Sequence, residues 1–140
     1  MNREDVQNIL PHRGHMLLID GAELRDGVSV GRYTVRGDEF FLQGHFPGNP
    51  VVPGVILCEM MGQSACLLIK GISLQEKWTP YLTGLKRVKF KQKVKPGDTI
   101  EFQTELVQQK DSFYFIKGNG FVGKELCVSG ELSFAAVKEE

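Results

Sequence analysis

The chain has 140 residues, 41% of them apolar and 24% charged, and its 17 Lys+Arg balance its 17 Asp+Glu. That size suits one domain around one core, spanning residues 1–140, and the zero net charge excludes the global basic excess of a nucleic-acid binder, so any electrostatic docking has to come from a local patch. Three cysteines without CxxC spacing, Cys58, Cys66 and Cys127, exclude a disulfide framework or a structural zinc site and fit a reducing compartment.

In chain order, Asn2 to Ile9 reads as a short helix, with Asn2 as N-cap, acidic Glu4 and Asp5 in the first turn and Pro11 as the stop. The N-terminus lacks the basic and apolar regions of a secretory signal. Met16 to Leu24 and Val28 to Val35 fit strands, and Asp26-Gly27 between them is a hairpin turn signal. From Gly44 to Gly54 glycine and proline alternate so densely that the backbone has to be irregular, yet rigid and shaped. A helix is expected from about Pro53, at N1, to Lys70, with Gly71 as the C′ stop. It is apolar on nearly every face, the pattern of a buried helix. Its apolar run, Val55 to Ile69, is broken by Glu59, Gln63 and Ser64 and is too short to span a bilayer. No membrane association is expected, and a cytoplasmic protein is.

After Trp78 the period changes to two. Tyr81 to Lys95, Ile100 to Leu106, Phe113 to Val122 and Leu126 to Ala136 read as strands joined by short turns, Pro96-Gly97-Asp98 among them. The plan is α+β, an antiparallel sheet with one long central helix. One helix covers only one side of a sheet well, so oligomerisation is expected.

Within this frame a few residues can carry chemistry. Glu59 sits in an otherwise apolar helix, where a carboxylate is costly to desolvate and is kept for a partner or a task. Burial would raise its pKa and poise it as a proton donor, unless it points to solvent or pairs with a basic side chain. Gln63, at i+4, shares its helix face and either orients the carboxyl or lines a polar interface. His45 lies in the Gly/Pro loop; imidazole is suited to take a proton at neutral pH, though a lone histidine also serves to satisfy loop carbonyls. At Gly54 the free N–H groups of the helix start form an oxyanion site that a carbonyl can approach. A base, an acid and an oxyanion donor this close in sequence suggest proton abstraction next to a carbonyl followed by loss of a protonated leaving group. His12 and His15 lack a carboxylate or cysteine at ligand spacing, so metal binding is not expected. No phosphate-binding glycine motif is present, so no nucleotide cofactor is implied. Arg87, Lys89, Lys91, Lys93 and Lys95 fall on one face of the expected strand, with Val88, Phe90 and Val94 on the other. This basic strip is either a lysine-protected edge or a dock for an acidic carrier.

The stretch Gly44-His45-Phe46-Pro47-Gly48-Asn49-Pro50, followed by Pro53-Gly54-Val55 and Glu59-Met60-Met61-Gly62-Gln63, resembles the signature of the FabZ-type (3R)-hydroxyacyl-acyl-carrier-protein dehydratases of type II fatty-acid synthesis. Leu10-Pro11-His12-Arg13 with Leu17-Leu18-Ile19-Asp20, and Lys89-Phe90 with Val94-Lys95-Pro96-Gly97-Asp98, extend the resemblance over nearly the whole chain. It implies a hot-dog fold, a curved antiparallel sheet wrapped around a central helix. It also implies a homodimer, often assembled as a trimer of dimers, with the site at the dimer interface. His45 and Glu59 correspond to the family's catalytic pair, contributed by opposite subunits, and Gly54 to its oxyanion amide. The substrate would be an acyl carrier protein bearing a 3-hydroxyacyl chain, and no metal or organic cofactor would be used. The related dehydratase/isomerases carry Asp where this chain has Glu59, which favours the simple dehydratase. Val52, Met60 and Gly62 depart from the usual residues and bear on acyl length. The rivals are a hot-dog acyl thioesterase, a non-catalytic acyl-binding protein, and the same dehydration in a polyketide or polyene pathway.

Overall fold

The computed structural model of the protein describes residues 1–69 and 78–138. Helix α1 (Arg3–Gln7) opens with a full capping box: the Asn2 side chain accepts from the Asp5 N–H and the Asp5 carboxylate accepts from the Asn2 N–H. Strands β1 (Gly21–Arg25) and β2 (Val28–Thr34) form the expected hairpin. Its turn places both Asp26 and Gly27 in the left-handed region, φ 48° and 81°. The expected strand from Met16 is shorter in the molecule. Gly14–Met16 form a 3₁₀ turn, and the backbone of Met16 and Leu18 bonds the Gln63 side chain, so ladder pairing begins only at Gly21.

Helix α2 (Gly54–Ser64) is shorter than expected; a 3₁₀ turn, Cys66–Leu68, continues it. Hydrogen bonding accounts for the early stop. The Ser64 hydroxyl donates to the Met60 carbonyl, and the Ser64 carbonyl accepts from the buried Ser29 hydroxyl at 2.6 Å, so the helix end is tied to β2. The expected stop at Gly71 lies outside the described residues. Four long strands follow: β3 (Trp78–Phe90), β4 (Thr99–Lys110), β5 (Phe113–Val122) and β6 (Glu125–Lys138). All pairings are antiparallel, and the six-stranded order is β1-β2-β4-β5-β6-β3. After α2 the chain therefore crosses to the far edge of the sheet, a hot-dog-like arrangement of helix on antiparallel sheet.

The main core lies between α2 and the sheet. Leu57, Met60 and Met61 meet Ile100, Phe102, Ile116, Val128 and Leu132, all buried. Close approach is built in with glycine: a Cβ on Gly31 of β2 would stand 2.1 Å from Ser64 Oγ, and one on Gly118 of β5 2.6 Å from Met61 Sδ. A second cluster, Val6, Leu10, Leu17, Ile19, Ala22, Cys66 and Trp78, seals the N-terminal segment onto the fold. In it the Trp78 indole N–H donates to the Ile9 carbonyl.

Two expectations change here. Helix α2 is apolar all round yet not buried all round. Val55 is 72% exposed and Glu59 and Gly62 are part-exposed, because the sheet covers one face only. The basic strip is not one strand face. β3 ends at Phe90, its register against β6 shifts between Lys86 and Lys89, and Arg87 takes φ 53° within that irregularity. Arg87 pairs with Glu131 at 2.8 Å, while Lys91, Lys93 and Lys95 lie in the loop beyond the strand. All five side chains are exposed; of the residues assigned to the opposite face, Val94 is buried, Val88 half-buried and Phe90 exposed.

Candidate active site

The loop carrying His45 is held by its own backbone. The His45 N–H donates to Leu42, Phe46 and Asn49 exchange two hydrogen bonds, and the Val51 N–H returns to the His45 carbonyl. Gly44 and Gly48 supply φ 82° and 74°, conformations that side chains rarely adopt. His45 Nδ1 lies 3.0 Å from the Val51 carbonyl. A carbonyl only accepts, so Nδ1 carries a hydrogen, and in the neutral ring Nε2 presents its lone pair. The ring stacks on Phe46 at 4.2 Å between centroids.

His45 opens into a cleft of about 1080 Å³ that also holds Gly54, Val55, Phe90, Lys91, Lys93 and Lys95. Gly54 begins α2 and has no side chain between its backbone and this cleft. Phe90 lies over the glycine: a Cβ there would stand 2.7 Å from its ring.

Glu59 is elsewhere. It lines a separate small pocket of about 40 Å³ with His12, Gly62, Gln63, Ile69, Trp78, Leu82 and Phe134. Gln63 is buried and its amide is fully employed. Its Oε1 accepts from the Leu18 N–H at 2.8 Å, so its Nε2 faces the Met16 carbonyl at 2.8 Å and Glu59 Oε1 at 3.1 Å. Gln63 thus holds the Glu59 carboxyl by one N–H. His12 Nε2 lies 3.3 Å from the same Oε1.

That contact reverses one expectation. The Glu59 carboxyl is held below its ordinary value, not above it. The His12 hydrogen bond outweighs the burial that would raise it, and the Gln63 N–H adds to the lowering. Glu59 is also 30% exposed in the single chain. Sequence reasoning passed over His12 because its partner is 47 positions away; its one signal was its place in the Leu10-Pro11-His12-Arg13 motif. His15 is not beside it: that ring packs edge-on to Phe40. Among the described residues no group of three His, Cys, Asp or Glu side chains is arranged to hold a metal ion.

Of the four residues read as the site, the structure brings His45 together with Gly54, and Glu59 together with Gln63, and it keeps the two pairs in different pockets. One chain presents an imidazole beside a helix N-terminus in one pocket and a hydrogen-bonded carboxyl in the other.

Comparison with known proteins gives this arrangement its context. In fold, the chain is similar to the dehydratase heterocomplex ApeI:P from Xenorhabdus doucetiae, with a TM-score of 0.78 at 22% identity over 96% of this chain and 91% of that one. In sequence, residues 24–131 match the family described as ApeI-like, ApeI dehydratase. A 3-hydroxyacyl-[acyl-carrier-protein] dehydratase FabZ from Alkaliphilus metalliredigens is 36% identical over 98% of this chain and 95% of its own length. The FabZ from Chlamydia trachomatis serovar D is 39% identical over 98% and 93%. A helix laid on a six-stranded antiparallel sheet is a hot-dog-like framework, and it is shared with dehydratases. The chain belongs to the dehydratase family that the ApeI-like match and these FabZ relatives describe. Among the described residues no helix is long and apolar enough to cross a membrane.

Proposed function

We propose that this chain, a single dehydratase domain over residues 1–140, converts (3R)-3-hydroxyacyl-acyl-carrier-protein to trans-2-enoyl-acyl-carrier-protein in fatty-acid biosynthesis. The site is shared: His45 and Gly54 of one subunit face Glu59 and Gln63 of the partner subunit. The observation that carries this reading is the separation of the two half-sites within one chain. Each holds one end of an acid–base pair, and each opens on a surface left uncovered by the single chain's sheet. The uncovered face of α2 and the exposed apolar residues of edge strand β3, Tyr81, Leu82 and Leu85, supply the surface for pairing. The resemblance to FabZ implies that dimers assemble further into a hexamer.

In this reaction the thioester carbonyl accepts from the Gly54 N–H, which stabilises the charge that develops when the C2 proton leaves. His45 Nε2 takes that proton. The C2–H electron pair becomes the double bond, the C3–O bond breaks, and a proton from Glu59 leaves with the hydroxyl as water. The productive form has neutral His45 and protonated Glu59. Glu59 is held below its ordinary value in the single chain, by His12 first and by Gln63 as well, so the fraction with a protonated carboxyl is reduced there. Burial of the pocket by the partner subunit and the acyl chain raises the carboxyl and increases that fraction.

Lys91, Lys93 and Lys95 rim the His45 cleft and suit an acidic carrier protein better than Arg87, which Glu131 already neutralises; Lys89 stands on the strand beside them. The three cysteines are free, which fits the reducing cytoplasm where such a carrier works. The test is turnover of a (3R)-3-hydroxyacyl thioester, following the enoyl chromophore and free thiol together. Enoyl product without thiol is expected. Thiol release would make the protein a thioesterase, and carrier binding without turnover would make it an acyl-binding protein.

A further inference from the structure

The carboxylate of Glu59 is treated unevenly by its surroundings. Both of its contacts, His12 Nε2 at 3.3 Å and Gln63 Nε2 at 3.1 Å, fall on Oε1, and no described residue bonds Oε2. Neither donor is free to turn away. The Gln63 amide is fixed by Leu18 and Met16. His12 follows α1 in a segment clamped by Arg13, whose guanidinium donates to the carbonyls of Gln7, Leu10 and His12 at 2.7–2.9 Å.

The His12 ring also has a defined tautomer. Its Nδ1 is inaccessible and has no hydrogen-bond partner among the described residues. A buried N–H with no acceptor is rarer and costlier than an idle lone pair. The hydrogen therefore sits on Nε2, the atom that faces Glu59.

Resting on the acid role given to Glu59 above, we propose that His12 is a positioning residue: with Gln63 it ties down Oε1 of Glu59 and leaves Oε2 as the oxygen that meets the substrate. The proton given to the leaving hydroxyl then travels on Oε2, while the Gln63 hydrogen bond and the His12 contact on Oε1 keep the carboxyl plane fixed. The other titratable group against Glu59 is the Cys58 thiol on its own helix, pushed up by burial and by the Glu59 charge; no basic side chain other than His12 contacts it among the described residues.

Two variants separate positioning from packing. His12→Phe keeps the ring volume and removes the donor; His12→Gln restores an N–H near the Nε2 position. Each is read by kcat and KM across pH and, independently of activity, by the pH titration of the Glu59 side-chain carboxyl in ¹³C-glutamate-labelled protein, the signal being assigned with Glu59→Gln. His12→Phe is expected to lower kcat at least about tenfold with KM within about threefold, and to move both the Glu59 titration and the acid limb of the rate profile to higher pH. His12→Gln is expected to recover most of each. An unshifted titration in His12→Phe, or an equal loss in His12→Gln, would overturn the proposal while leaving the acid role of Glu59 intact. Full activity of Glu59→Gln would instead remove the acid role, and this proposal with it.

Discussion

Removing the imidazole in His45→Ala, or the ionisable oxygen in Glu59→Gln, is expected to lower kcat/KM for a 3-hydroxyacyl thioester by at least about 10²-fold each, the usual range for a positioned acid or base. Steady-state rates on folded variants check this. The linkage to stability has a definite sign. Glu59 titrates below its ordinary value in the folded chain, so it contributes stability above its unfolded pKa and loses that contribution as pH falls through the folded one. Wild type is therefore expected to exceed His12→Phe in stability at neutral pH, with the carboxyl's share of that margin vanishing in acid; urea midpoints at several pH values measure it. At this scale the sequence was legible wherever residue type alone constrains chemistry. A histidine inside a Gly/Pro loop and a glutamate inside an apolar helix are conspicuous on their own. The direction of the Glu59 shift was not legible, because burial can be guessed from helix neighbours whereas the opposing donor arrives from residue 12. Cys58, Cys66 and Cys127 are all buried. Burial pushes the Cys66 thiol up to about 12 and raises Cys58 and Cys127 as well. Native protein is accordingly expected to resist alkylation at neutral pH by mass spectrometry, and all three sites to label once it is unfolded.

Helix α2 sets the reach of both half-sites, since Gly54 begins it and Glu59 and Gln63 lie along it. Its depth against the sheet depends on Gly31, where an added methyl would meet both Ser64 Oγ at 2.1 Å and the Ser64 Cα at 2.9 Å. Because the second contact is backbone, the clash is not relieved by a rotamer change. Gly31→Ala is expected to cost about 1–3 kcal/mol, as overpacking does, and thermal unfolding reads it. Strand existence followed from the period-two alternation of β4, β5 and β6, and the Asp26-Gly27 turn from its dipeptide. The helix was overestimated because apolar periodicity continues past Ser64; what stops it is a pair of serine hydroxyl bonds to partners that include a residue 35 positions away. The basic strip was misread for a related reason. Alternation assumes regular pairing, and the irregularity around Arg87 rotates the side chains beyond it.

At the scale of the whole molecule, the strand order follows no local signal. That β3 crosses to the far edge beside β6 is decided by how the sheet covers α2, and the sequence offered only the imbalance between one helix and a two-faced sheet. The same imbalance leaves α2 half-covered and the edge strand apolar, and it keeps His45 and Glu59 of one chain in different pockets. The proposed shared site rests on that separation, and mixing two dead variants tests it most directly. His45→Ala and Glu59→Gln protein are unfolded, combined in equal amounts and refolded, and enoyl formation is compared with each variant refolded alone. Random pairing makes half of the dimers mixed, and each mixed dimer holds one intact His45–Glu59 site, so recovery to about a quarter of wild-type activity is expected. Mixed dimers that form, as shown by tagged co-purification, but stay as inactive as the parents would contradict the account and place both residues' work within a single chain.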